Sequence, residues 1–283
     1  MTVTIHVGDA LQVLTTLPTA SAHCIVTSPP YYGLRDYGVK GQMGSESTLD
    51  GYIAGMVEVF REARRVLRDD GTLWLNIGDT YIKKQRALAP ARVALAIQED
   101  GWWLRDEIVW HKPRTTPAPV KDRTVAAHEM LYLFSKSSSY YFDYLAIEEP
   151  SKYPGLVRKA GKAFRDLAKI DPKAAAKRNN DTREITVRDT RRSRSVWSIS
   201  PEPYKLAHFA TMPTLLIEPC IKAGCPAGGV VLDPFGGAGT TGLVADALDR
   251  NAVLIELNPD YAAMARDRIV AATGPLGWVD LKP

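Results

Sequence analysis

Two apolar patterns follow one another along the chain. Short solid blocks predict strands over residues 3–7, 22–26, 72–77, 102–110, 128–134, 228–232 and 252–256. Between them lie stretches at helical spacing. In the longest, Tyr52, Ile53, Met56, Val59, Phe60, Ala63, Val66 and Leu67 share a face, with Arg61, Glu62, Arg64 and Arg65 on much of the other. Asp69-Asp70-Gly71 stops this helix, and the chain returns at once as a strand. Leu11, Leu14 and Leu17 predict a turn or two of helix, and further helices are expected over 88–99, 214–223, 243–249 and around Tyr261, Ala265 and Ile269. Tyr140-Tyr141-Phe142 reads as a strand pairing beside 128–134. Helix, glycine and strand joined this closely give a βαβ rhythm, hence an α/β fold with a mostly parallel, doubly wound sheet.

Composition changes this picture at one place. The 283 residues, 45% hydrophobic and 24% charged, suit a soluble α/β domain with or without an insertion. No apolar run approaches the roughly 20 residues of a membrane helix, and Met1-Thr2-Val3-Thr4-Ile5-His6 lacks the form of a signal peptide. A cytoplasmic protein without membrane contact is expected. Cys24, Cys220 and Cys225 form neither a C-x-x-C pair nor an even set and read as small core residues. The net charge of +4 hides an asymmetry. Residues 151–200 carry 14 Lys/Arg against 5 Asp/Glu, a local charge of +9, which leaves −5 for the rest. Residues 155–170 are predicted as a basic helix and 171–195 as loop. Such a segment is either a solvated insertion or the electrostatic footprint of a polyanion. The domains expected are 1–150, 151–200 (the basic insertion) and 201–283, the first and last being halves of one domain.

Candidate chemistry gathers at strand ends, where open α/β sheets bind ligands. The block 22–26 runs into Thr27-Ser28-Pro29-Pro30-Tyr31-Tyr32. The prolines fix their own φ angles, and Pro29 keeps Ser28 extended. The loop thus presents the Ser28 hydroxyl, the Pro29 carbonyl and the Tyr31 ring in one rigid set. Two acceptors and a ring suit a flat molecule with an amine on its edge, such as an unpaired nucleobase. Residues 33–48, rich in glycine and polar side chains, fit a loop over that site. Far along the chain, Asp233-Pro234-Phe235-Gly236-Gly237-Ala238-Gly239-Thr240-Thr241-Gly242 follows a strand, and Glu256 ends the next one. The G-x-G-x-x-G turn and the terminal carboxylate describe an adenosine-containing cofactor. Asp233 beside the turn would repel a pyrophosphate and welcome a cation, as S-adenosylmethionine supplies. Asp9 ends the first strand and reads either as a cofactor ligand or as a helix N-cap. His111 and His128 read as structural histidines, and no metal site is expected.

Thr27-Ser28-Pro29-Pro30-Tyr31 with Arg35 and Tyr37 resembles the catalytic motif of DNA amino-methyltransferases, and residues 233–241 resemble their cofactor motif. His208-Phe209-Ala210-Thr211-Met212-Pro213 is similar to the segment preceding it, and the motif order is that of the family's β-type permutation. The resemblance covers roughly 1–140 and 200–270. It implies a Rossmann-like, S-adenosylmethionine-dependent sheet with a target-recognition region at 151–200. It implies double-stranded DNA as partner, with one base flipped into the site, and a homodimer, in a bacterial, archaeal or phage setting, with either a companion restriction enzyme or none. Ser28, Pro29, Pro30 and Tyr31 are its expected catalytic residues. Asp9, Phe209, Thr211, Asp233, Pro234, Phe235, Gly237, Gly239, Thr240, Thr241 and Glu256 are expected at the cofactor. Arg35, Lys112, Arg188, Arg191, Arg192 and Arg194 are expected on DNA. The family usually has Asp or Asn at position 28, and Ser is associated loosely with N4-cytosine; both cytosine and adenine offer the required amine. RNA or glutamine methylation, and nucleic-acid binding without catalysis, are the rival readings.

Overall fold

The apolar blocks become a nine-stranded sheet in the computed structural model, which describes residues 1–36, 38–115, 120–159, 184–202, 211–273 and 278–282. Its strands are β1 (Thr2–Val7), β2 (Ala22–Thr27), β3 (Leu67–Ile77), β4 (Trp103–His111) and β5 (His128–Ser135). After them come β6 (Val196–Ser198), β7 (Val230–Asp233), β8 (Asn251–Glu256) and β9 (Trp278–Lys282). Their order is β6-β4-β5-β3-β2-β7-β8-β1-β9. All neighbours run parallel except at β5, which is antiparallel to both β3 and β4. The beginning of β5 therefore lies at the edge where the parallel strands end, with Met130 opposite Ile77 and Glu129 opposite Trp110.

Helices α1 (Ala10–Thr16), α2 (Leu49–Val66) and α3 (Ala89–Glu99) pack together in sequence. Tyr52, Met56, Phe60 and Ala63 of α2 are buried with Ile25, Leu73 and Leu75 of the sheet. Thr48 caps α2, its side chain accepting from Gly51 N at 3.1 Å, and Asp50 and Arg64–Arg65 sit at the helix ends that favour their charges. The alternate sheet residues Cys24, Thr72 and Trp74 instead face Gly224 at the end of α4 (Thr214–Gly224). Helices α5 (Thr240–Ala247) and α6 (Pro259–Thr273) continue that second layer. The central strands β2, β7 and β3 from Gly71 onward are mostly buried between the two layers and mostly apolar, whereas β4 exposes Trp103, Arg105, Asp106 and Glu107.

Several expectations change. Residues 140–142 do not pair as a strand: Phe142 stacks on Trp74 at 6.1 Å, and Tyr141 N donates to Asp70 O at 2.8 Å. Burying aromatic surface on the sheet face replaces edge pairing. Strands β6 and β9 add to those expected from the apolar blocks. In the basic segment, Val157–Lys159 pairs antiparallel with Glu184–Thr186, and Thr190–Arg191 with Glu149–Pro150. Val157 and Ile185 favour the extended backbone over the helix and loop expected there; the rest of the expected basic helix lies outside the described residues. The molecule divides into two compact units, Met1–Asp143 with Arg194–Pro283, and Tyr144–Ser193.

Phe60 is fully buried where α2 meets the sheet. Phe60→Ala is expected to cost about 3–5 kcal/mol, read as a lowered midpoint in urea denaturation.

Candidate active site

A cavity of about 370 Å³ opens at the carboxyl edge of the sheet, within the larger unit. Its walls hold Ser28, Pro29, Pro30 and Tyr31 after β2, Asp233 to Ala238 after β7, Glu256 at the end of β8 and Asp9 after β1. Motifs at opposite ends of the sequence thus share one chamber, because β2 and β7 are adjacent strands.

A buried carboxylate joins the two. Asp233 Oδ1 accepts from Thr27 Oγ1 at 2.6 Å and from Phe235 N at 3.0 Å, while Oδ2 accepts from Thr241 Oγ1 at 2.6 Å. Burial pushes the Asp233 carboxyl above its ordinary value, and these hydrogen bonds oppose that shift. Thr27, Thr241 and Asp233 are each at most 2% exposed. Asp233, expected from sequence to meet a cationic cofactor, lines the cavity, and its oxygens hold together the end of β2, the turn after β7 and α5.

The glycine turn leaves room for a ligand. Gly237 and Gly239 have φ of +50° and +77°, and a Cβ on Gly239 would lie 2.8 Å from that of Ala265. Glycine is needed there for both conformation and close packing. Glu256 holds the turn as well as facing the cavity: Oε2 accepts from Gly237 N at 2.8 Å and Oε1 from Asn258 N at 2.9 Å. Its carboxyl is raised by burial, with the amides pulling the other way. Each oxygen keeps a lone pair for a ligand hydroxyl. Asp9 both caps α1, accepting from Gln12 N at 3.0 Å, and lines the cavity. Phe235, Pro234, Thr211, Thr240 and Thr241 line it too; Phe209 lies outside the described residues. A chamber with a glycine cradle and the carboxylates of Asp9, Asp233 and Glu256 in its walls fits a nucleoside carrying cationic groups.

On the catalytic side, the Tyr52 hydroxyl donates to Pro30 O at 2.9 Å, pinning the loop. Among the described residues none donates to the Pro29 carbonyl. The Tyr31 ring lies so close to Gly78 that a Cβ there would come within 2.5 Å of it. The Tyr31 hydroxyl contacts Asn76 Oδ1 at 3.1 Å and donates to Glu129 Oε2 at 2.9 Å. Ser28 Oγ is 3.1 Å from the same hydroxyl and 3.4 Å from Asn76 Oδ1. Asn76, Gly78 and Glu129 were missed from sequence. An asparagine inside a buried strand and a glutamate heading another were the available signals.

Of the residues expected on DNA, Arg35 lines the cavity. Lys112 also lines it, ion-paired with Glu129 and 4.2 Å above the Trp110 ring. Arg188 and Arg192 are exposed in the smaller unit, where Arg192 lies over Tyr144 at 4.4 Å and Arg191 pairs with Glu149 at 3.1 Å. Arg194 is exposed on the larger unit. The three cysteines are buried and free, their thiols raised by burial (Cys225 to about 11), which disfavours a thiolate nucleophile. His111 Nδ1 lies 3.0 Å from Ser198 Oγ, a structural contact between β4 and β6.

A family model described as DNA methylase, for N6/N4 methyltransferases, matches residues 22–267. The type II methyltransferase M.SmaI of Serratia marcescens is 40% identical, over 94% of this chain and 90% of that protein. M.Cfr9I of Citrobacter freundii is 42% identical over 94% and 87%. Among solved structures, the DNA modification methylase TTHA0409 of Thermus thermophilus, complexed with S-adenosyl-L-methionine, aligns over 99% of both chains, with TM-score 0.65 and 26% identity. The cytosine-N4-specific PvuII DNA methyltransferase shares the fold, with TM-score 0.68 and 22% identity over 98% of this chain and 94% of that one.

Thr27→Val would leave the buried Asp233 carboxylate one donor short. The expected cost is about 1–3 kcal/mol, measured by urea denaturation without ligand.

Proposed function

The chain belongs to the DNA methylase family, and we propose that it methylates the exocyclic amine of one cytosine or adenine flipped from double-stranded DNA. The observation that supports this best is the shared chamber: the amine-accepting loop and the glycine turn face one cavity across adjacent strands. S-adenosylmethionine is the cofactor, and as a sulfonium it supplies an electrophilic methyl group. Glu256, Asp9, Phe235 and Thr211, with the turn at Gly237, would hold it there.

Tyr31 stacks on the base. The Ser28 hydroxyl and the Pro29 carbonyl accept hydrogen bonds from its amine, drawing the nitrogen toward tetrahedral geometry and freeing its lone pair. Positioning and preorganised dipoles carry the catalysis, since the loop is fixed before any base arrives. The excess of lysine and arginine over residues 151–200 supports a role for that segment in target recognition through phosphate contacts. A homodimer would suit a symmetric target, and a companion restriction enzyme is the partner we propose. No helix among the described residues is long and apolar enough to cross a membrane. A cytoplasmic location, where DNA and cofactor meet, is part of the proposal.

Incubation with labelled S-adenosylmethionine and DNA, followed by digestion to nucleosides, is expected to give N4-methylcytosine or N6-methyladenine. Label found only on RNA or protein would overturn the reading. Ser28→Ala is expected to lower turnover ten- to a hundredfold, on the order of one lost transition-state hydrogen bond, with cofactor affinity nearly intact. Collapse of that affinity would break the division of the site. Neutralising Arg188, Arg192 and Arg194 together is expected to weaken DNA binding and flatten its salt dependence, the slope falling by up to about 0.9 for each phosphate no longer neutralised. An unchanged slope would return the segment to a solvated insertion.

A further inference from the structure

Methylation of an amine leaves a proton to be removed, and Ser28, a neutral alcohol, cannot keep it. Four side chains run in line from Ser28 along the cavity wall. Ser28 Oγ lies 3.1 Å from the Tyr31 hydroxyl, which donates to Glu129 Oε2 at 2.9 Å, and Glu129 Oε1 is ion-paired with Lys112. Asn76 braces the line, its Oδ1 3.1 Å from the Tyr31 hydroxyl and its Nδ2 donating to Met130 O at 3.2 Å.

Donor and acceptor capacities give this line a direction. A carboxylate only accepts, so the single Tyr31 proton points at Glu129. The Tyr31 oxygen is then an acceptor for the Ser28 O–H, and the Ser28 lone pairs are left for the incoming amine. Burial, reinforced by the Glu129 charge, holds the Tyr31 phenol well above its ordinary value. It therefore passes a proton on as it receives one and does not stay ionised.

On the amine-methylation reading, we propose that Glu129 is the terminal proton acceptor of the reaction, reached through Ser28 and Tyr31. The amine nitrogen bonds to the methyl carbon as the carbon–sulfur bond breaks, and that electron pair stays on sulfur. The cationic amine gives a proton to Ser28 Oγ, the Ser28 proton moves to the Tyr31 oxygen, and the Tyr31 proton moves to Glu129 Oε2. A neutral methylamino base and a carboxylic acid result, and the acid later returns its proton to water. A protonated amine on an electron-poor ring is a far stronger acid than a carboxylic acid, so the transfer runs downhill even beside Lys112. Glu129 thus acts through other residues and is a positioning and proton-accepting group.

Glu129→Gln keeps an oxygen for Tyr31 to donate to but cannot take the proton. Tyr31→Phe keeps the stacking ring but cuts the line. Each is expected to slow single-turnover methylation by about ten- to a hundredfold, in the lower range of general acid–base contributions. Affinities for S-adenosylmethionine and DNA, measured separately, should move less than about threefold. The double variant should be no slower than the slower single one, as two members of one relay behave. Because Glu129→Gln releases Lys112, Glu129→Gln with Lys112→Gln is measured beside it and should show the same loss. An E129Q rate within about threefold of wild type would overturn the relay, as would multiplying losses in the double variant. If E129Q does not fold, a Tyr31→Phe rate within about threefold of wild type would overturn it equally. If the wild-type protein itself methylates no base amine, the amine-methylation reading fails instead.

Discussion

The site depends on one carboxylate placed where water cannot reach it. Asp233 has no cation beside it among the described residues, and burial alone would make its charge costly. Two threonine hydroxyls and a backbone amide offset that cost, and each comes from a different part of the site. Thr27 ends the strand that runs into the Pro-Pro loop, Phe235 belongs to the turn after β7, and Thr241 lies in the first turn of α5. Satisfying Asp233 therefore fixes the distance between the two halves of the chemistry. Residues 206 positions apart are joined by a 2.6 Å bond. An error of an ångström in that distance would misalign an in-line transfer.

Much of this was legible in the sequence because it is written locally. The solid apolar blocks, the Pro-Pro loop and the glycine turn each state their own conformation, and the resemblance of the two motifs joined them. What escaped was written across strands. Asn76 and Glu129 meet Tyr31 only because β5 runs backwards and its register sets Met130 opposite Ile77. No linear pattern records that register. Gly78 likewise looks like any glycine after a strand until the Tyr31 ring is found against it. Asp233 was picked out for its charge, while the hydrogen bonds that hold it, from the Thr27 and Thr241 hydroxyls, were not. In the basic segment, composition revealed charge and concealed two short antiparallel pairs.

The charge asymmetry fits a division of labour. The larger unit is rich in carboxylates that hold backbone and hydroxyls together: Asp9 at α1, Asp233 at the strand ends, Glu256 at the glycine turn. Acidic groups used this way bind a cationic cofactor well and a phosphate backbone badly. On the proposed reading, the excess of arginine and lysine over 151–200 would supply what such a core lacks.

Trp110 gives the cavity an optical property. Among the six tryptophans of the chain, only Trp110 lines the chamber. Its indole is tethered, Nε1 donating to Ile199 O at 2.8 Å, and its face is covered by the Lys112 ammonium at 4.2 Å. A tethered ring beside a charged group that also lines the cavity changes its emission when that neighbour or the solvent around it shifts. A ligand entering the chamber would thus register in the protein's own fluorescence, open to stopped-flow measurement without any added label.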